Sequence, residues 1–71
     1  GNVAGRRSAR EIDALEARIR ELEQRIKQLE ERLAEVASTG NYMETRRVGE
    51  EHATLEQALH ALYDEWAARG E

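Results

Sequence analysis

The sequence of 71 residues contains no cysteine, no proline and no phenylalanine. Without cysteine it can form neither the disulfides nor the thiolate zinc sites that stabilise many small domains, and this absence agrees with a cytoplasmic origin. The absence of proline and a charged fraction of 37% favour long solvated helices over sheets. No apolar run is long enough for a membrane span or for the apolar region of a signal peptide. A small helical domain without a large compact core is therefore expected.

Positive charge is scarce and grouped. The formal net charge is −4, and the chain lacks the dominant basic face of most nucleic-acid-binding domains. Arginines nevertheless cluster near the N-terminus and again past the middle of the chain, where the alternative to a contact role is that they only solubilise a linker and the hairpin tip. Because arginine side chains contact phosphates, the candidate nucleic-acid-binding residues are Arg6, Arg7, Arg10, Arg46 and Arg47.

The first half of the chain has the apolar spacing of a coiled coil. Between Ile12 and Val36 the apolar residues follow one another in alternating steps of three and four. This period of 3.5 residues is typical of a left-handed coiled coil. Ser8 and Glu11 fit a capping box at the start of a helix, and Gly40 suits the left-handed position after its end. The pattern predicts a first helix over about 9–38, preceded by a flexible basic linker over 1–7.

A second heptad pattern runs from Val48 to Trp66. Asn41 is a candidate N-cap for its helix, with Thr45 as the competing one. The pattern predicts a second helix over about 42–68, joined to the first by a short turn. Two such helices form an antiparallel hairpin. The predicted fold is therefore all-α, with one two-helix antiparallel coiled-coil domain over residues 8–71.

The register of the hairpin can be predicted by pairing apolar positions across it. In the preferred register the partners' residue numbers sum to 81, as in Leu29 with His52 and Leu15 with Trp66. A rival register, with sums near 84 or 85, lengthens the loop and leaves the first apolar residues without partners. The expected ion pairs are Arg32–Glu51 and Arg18–Glu65 between the helices, and Glu16–Arg20, Glu21–Arg25 and Glu23–Lys27 along the first helix.

The aromatic and histidine side chains have structural interpretations. Trp66, with Tyr63 beside it, is expected to close the open base of the hairpin; the alternative is an exposed aromatic platform for another domain. Tyr42 and Met43 are expected to pack over the tip. His52 occupies an interface position without a predicted charged partner and is expected to be neutral.

The sequence predicts no catalytic or metal site. His60 is on the outer face, and its distance of eight residues from His52 does not fit the helical metal pair at i,i+4. No metal ligands are therefore assigned. No arrangement of nucleophile, base and orienting group is recognisable, so no catalytic residue is assigned either.

The order of segments resembles a known family. A Glu/Arg-rich helix (ALEARIRELEQRIKQLEERL) precedes a short tip, and the second helix contains LEQALHALYDEW. This arrangement resembles the C-terminal coiled-coil domain of ABC-F ATPases, especially the Uup-like branch. The more specific part is the ending of the second helix, formed by Leu55, Glu56, Leu59, Tyr63 and Trp66. The tip lacks the proline often found in the family, and Ala67 follows Trp66 where glutamate is usual.

The resemblance implies a function for the chain as part of a larger protein. It implies a cytoplasmic parent with two ATP-binding cassettes upstream, translation-related action on ribosomes, and nucleic-acid binding, including DNA, by the C-terminal domain. The sequence has no Gly-rich phosphate loop and no GKS or GKT element, so the domain itself is expected to be neither an enzyme nor a cofactor-binding unit. We expect a non-catalytic accessory domain that contacts nucleic acid or the ribosome weakly and without sequence specificity. The alternative is a plain protein–protein interaction or dimerisation coiled coil.

The isolated domain is expected to be monomeric. The first helix alone also suits a parallel dimer, because it has isoleucine and leucine at alternating interface positions and complementary charges beside them. A partner helix in the same chain has the advantage of a high effective concentration through the short turn.

Overall fold

The computed structural model describes the backbone of residues 3–70 and the side chains of residues 9–69. It contains two helices, α1 (Val3–Ser38) and α2 (Tyr42–Gly70), and no strand among these residues. The helices lie side by side in a rod with extents of 60 × 15 × 13 Å. The predicted all-α helical hairpin is confirmed. Neither described helix has a stretch long and apolar enough to cross a membrane.

Helix α1 begins earlier than predicted. Its first residue is Val3 and not Ala9, so Ser8 lies inside the helix instead of capping it. The predicted boundary is wrong because no proline interrupts the preceding residues, and alanine and arginine are strong helix formers. Residues 3–7, predicted as a linker, are therefore helical, while Gly1 and Asn2 lie outside the described residues. The division of the chain into a linker and a hairpin domain otherwise stays a prediction.

The turn between the helices uses the residues that the sequence indicated. Gly40 has φ +74°, the left-handed conformation that glycine adopts without steric cost. The carbonyl oxygen of Val36, in the last turn of α1, accepts hydrogen bonds from the Thr39 hydroxyl at 2.7 Å and from the Thr39 backbone N–H at 3.2 Å. At the start of α2 the backbone N–H of Glu44 donates to Asn41 Oδ1 at 3.1 Å. Asn41 is therefore the N-cap of α2, as predicted.

The apolar core is distributed unequally between the helices. Five of the six buried apolar residues belong to α1 and only Val48 belongs to α2. The interface leucines of α2, Leu55, Leu59 and Leu62, are only partly buried. Long charged side chains flank the interface on both helices and cover it, but the short Ala58 interrupts them beside the α2 leucines. The buried apolar residues are Ile19, Leu22, Ile26, Leu29, Val36 and Val48.

Polar contacts on the two sides of the interface show how the helices are aligned. On one side Arg25 contacts Glu51 at 3.1 Å, and their residue numbers sum to 76. On the other side the Tyr63 hydroxyl donates a hydrogen bond to Glu23, and their residue numbers sum to 86. In an antiparallel coiled coil the core layers lie midway between the flanking contacts. The midpoint of 81 agrees with the preferred register and not with the rival one.

The predicted ion pairs between the helices are wrong although the register agrees. Arg32 contacts Glu44 at 3.6 Å instead of Glu51, which is occupied by Arg25. Arg18 contacts Glu21 within its own helix at 3.3 Å. On this side of the interface each arginine of α1 therefore faces a residue of α2 that is one heptad nearer the tip than predicted, as Arg32 faces Glu44 and not Glu51. By the same spacing Arg18 faces Ala58, which offers no charge.

Candidate functional surfaces

The predicted N-terminal arginines belong to α1. Arg6 and Arg7 are in the helical segment, and their side chains lie outside the described part of the chain. Arg10 is exposed, and none of the ion pairs found among the side chains of residues 9–69 includes it. Arg10 is therefore an exposed cation at the base of the hairpin.

The predicted arginines at the tip are paired with acids of their own helix. Arg46 contacts Glu50 at 3.1 Å, and Arg47 contacts Glu44 at 2.5 Å. The hydrogen bond from Arg47 lowers the pKa of the Glu44 carboxyl and raises the pKa of the guanidinium. These pairs place an acid beside each arginine, so the positive charge of the tip is locally neutralised.

The structure does not bring the two arginine groups together. They belong to opposite ends of the hairpin, about 40 Å apart at 1.5 Å of rise per helical residue. A single phosphate group cannot contact both.

Two further cations, missed by the sequence analysis, share one side of α1 with Arg10. Arg20 and Lys27 are exposed, and neither takes part in an ion pair among the side chains of residues 9–69. With 3.5 residues per turn, the three lie within about 50° of one another around the helix axis. They are separated along the axis by about 15 Å and about 10 Å. We call Arg10, Arg20 and Lys27 the cationic side of α1.

These cations lack ion pairs because their predicted partners bind elsewhere. Glu16 accepts a hydrogen bond of 3.2 Å from Trp66 Nε1, and Glu23 accepts one from the Tyr63 hydroxyl. The predicted i,i+4 pairs of these glutamates with Arg20 and Lys27 are therefore wrong. Glu21–Arg25 is wrong too, since both members have other partners. The two cations could have been recognised from the sequence, because Arg20 and Lys27 occupy the same outward-facing heptad position.

The aromatic residues of α2 form a shallow groove with α1. Trp66 and Tyr63 are each 41% exposed, and Ile19 and Arg20 line the groove between the helices. The hydrogen bond that Tyr63 donates to Glu23 raises the pKa of the tyrosine. Trp66 thus covers the base of the hairpin incompletely. This exposure agrees better with the alternative interpretation, in which Trp66 is part of an exposed aromatic platform.

The tip presents two apolar side chains to solvent. Tyr42 and Met43 are each 72% exposed. The prediction that they pack over the tip is wrong, because most of each side chain is open to solvent. They form an exposed apolar tip.

His52 lies between two carboxylates. Its Nε2 atom is 3.1 Å from Glu30 Oε2 of α1 and 3.5 Å from Glu56 Oε1 of α2. The prediction that His52 has no charged partner is therefore wrong. The spacing of four residues between His52 and Glu56 was a visible signal, but Glu30 could be found only once the helices were aligned. On the outer face, His60 Nδ1 lies 3.3 Å from Asp64 Oδ2.

Comparison with known proteins gives one match. A family model described as the ABC transporter C-terminal domain matches residues 5–68, which include most of both helices. Searches of curated proteins and of solved structures give no match.

Proposed function

Since the chain belongs to the ABC transporter C-terminal domain family, we propose that it is a non-catalytic arm through which an ABC protein contacts nucleic acid weakly and without sequence specificity. The observation that carries the proposal is the cationic side of α1. Its three exposed cations lie in one row, and the acids four residues before Arg20 and Lys27 accept hydrogen bonds from Trp66 and Tyr63 instead.

The expected affinity follows from the number of phosphate contacts. Three cations on one side of a helix can neutralise about three phosphates, which corresponds to a log–log salt slope of about −3 on duplex DNA. Asp13 and Glu31 lie on the same side of α1, and the net charge of −4 opposes binding. Binding should therefore be measurable at low salt and largely lost at physiological salt.

The proposal includes the place of the domain in its parent protein. The Tyr63 and Trp66 ending of α2 supports assignment to the ABC-F group and its Uup-like branch, with ATP-binding cassettes upstream. That assignment implies a cytoplasmic protein whose nucleic-acid partner is either duplex DNA or ribosomal RNA. The domain sequence has no phosphate-binding loop, so ATP hydrolysis would belong to the cassettes.

Fluorescence anisotropy with labelled DNA and RNA duplexes tests the proposal. Arg10, Arg20 and Lys27 are replaced together by alanine, which keeps the helix propensity high. The variant should lose most of the binding seen at low salt, because its phosphate contacts are removed. An Arg6/Arg7→Ala variant measures the contribution of the remaining N-terminal arginines.

The matched control is Arg46/Arg47→Ala, which also removes positive charge from an exposed helix surface. Since both arginines are paired with acids, this variant should retain most of the binding. Absence of binding by the parent chain at low salt would contradict the proposal. An equal loss in the tip variant would contradict the assignment to the cationic side of α1.

A second candidate function is supported by the apolar tip. Tyr42 and Met43, each 72% exposed, resemble the aromatic and methionine residues enriched in protein–protein interfaces. The hairpin would then be a protein-docking arm. Tyr42→Ser with Met43→Ser should weaken such docking and leave nucleic-acid binding unchanged.

A further inference from the structure

Three possible metal ligands meet across the helix interface near the middle of the hairpin. They are Glu30 of α1 and His52 and Glu56 of α2, which we call the His52 cluster. Their nearest ligand atoms all lie within 4.8 Å of one another. The imidazole is largely covered, with 22% of its side chain exposed, while the carboxylate side chains are 57% and 53% exposed. An ion could therefore enter from solvent and reach the histidine.

The spacing of the donor atoms fits a tetrahedral ion. Zinc binds histidine nitrogen and carboxylate oxygen at about 2.0–2.2 Å, which places neighbouring donors of a tetrahedron about 3.4 Å apart. His52 Nε2 lies 3.1 Å from Glu30 Oε2 and 3.5 Å from Glu56 Oε1. The two distances bracket the tetrahedral value, and the two carboxylate oxygens lie within 4.8 Å of each other, so the donor atoms approach the spacing that such an ion requires.

The two carboxylates of the His52 cluster lie where a positive charge between them would relieve their repulsion. Glu30 and Glu56 occupy facing positions beside the interface, and like charges there repel. At the neighbouring contacts between the helices an acid faces a donor, as in Arg25–Glu51 and Tyr63–Glu23. The His52 cluster is the place among the described residues where two acids converge on one imidazole.

We propose that Glu30, His52 and Glu56 bind a divalent transition-metal ion such as Zn²⁺, which joins the two helices. His52 and Glu56 supply an i,i+4 pair on one face of α2, and Glu30 supplies the ligand from α1. Water completes the coordination, as in other zinc sites with three protein ligands. The imidazole favours zinc over magnesium, which prefers oxygen ligands. The sequence predicted no metal ligands because the two histidines are eight residues apart, and Glu30 reaches His52 only across the hairpin.

Thermal unfolding of the whole 71-residue chain with added Zn²⁺ tests the proposal. Because the site requires both helices, zinc should stabilise the folded hairpin. At a free concentration about 100-fold above Kd, the midpoint should rise by about 10 °C or more. Isothermal titration should give one ion per chain. Absence of a saturable rise overturns the proposal, as does an equal rise with Mg²⁺.

His60→Ala is the matched control, because His60 and Asp64 have the same i,i+4 spacing but no ligand from α1. This variant should keep the full zinc effect, whereas His52→Ala should lose it. Glu30→Gln keeps the shape of the side chain and leaves the His52 imidazole in place. Its Kd for zinc should be at least tenfold higher than that of the parent chain. Retention by either His52→Ala or Glu30→Gln, or loss in His60→Ala, overturns the proposed ligands.

Discussion

Leu22→Ala and Leu59→Ala test whether the unequal burial of the two helices determines their contributions to stability. Both leucines belong to one core layer in the observed register, on opposite helices. Leu22 is 7% exposed, whereas Leu59 is only partly buried. The substitution removes three carbons, each worth about 0.8 kcal/mol when fully buried. The expected loss in the free energy of unfolding is therefore about 2 kcal/mol for Leu22→Ala and about 1.5 kcal/mol for Leu59→Ala.

The cavity contribution should be small at both positions, because the sides of a two-helix interface are open and the helices can move together. Helix propensity changes equally in the two variants, so it cancels in the comparison. Thermal melts followed by far-ultraviolet circular dichroism should show midpoints lowered by about 8–16 °C for Leu22→Ala and about 6–12 °C for Leu59→Ala. Equal losses, or a larger loss for Leu59→Ala, would refute the argument from flanking side chains.

Two further predictions concern alkaline stability and assembly. The hydrogen bond to Glu23 raises the pKa of Tyr63 above 10.0. The stability that this bond contributes is therefore fully present below about pH 10 and is lost as the pH rises through the folded-state pKa. In melts at increasing pH, Tyr63→Phe should lose less stability above about pH 10 than the parent chain does, because it has no hydroxyl to ionise. Identical pH profiles for parent and variant would count against a role of the Tyr63–Glu23 hydrogen bond. The chain should be a monomer at micromolar concentration because α2 covers the interface of α1, and sedimentation equilibrium should give 8.1 kDa, not twice that mass.

Heptad spacing and turn chemistry were sufficient to predict the hairpin. The apolar positions from Ile12 to Trp66 specify two helices that must cover each other. Gly40 and Asn41 act through backbone conformation and a hydrogen bond within four residues, so their roles depend on little beyond their neighbours. The start of α1 was mispredicted because Ser8 and Glu11 form a local motif that is equally compatible with the interior of a longer helix.

The partners of the charged and aromatic side chains were decided only by the tertiary structure. Glu16 could reach Arg20 within its helix or Trp66 across the interface, and exposed ion pairs differ from alternative contacts by only about 1 kcal/mol. Such small differences are settled by where the second helix places its donors. For the same reason Glu30 joins His52 only after α1 and α2 are aligned. The sequence by itself determined the helices and their order, whose energies come from many repeated local and apolar contacts. The cationic side of α1 and the His52 cluster depend on a few long side chains whose alternative contacts differ little in free energy. Which contacts form is decided only when both helices are in place.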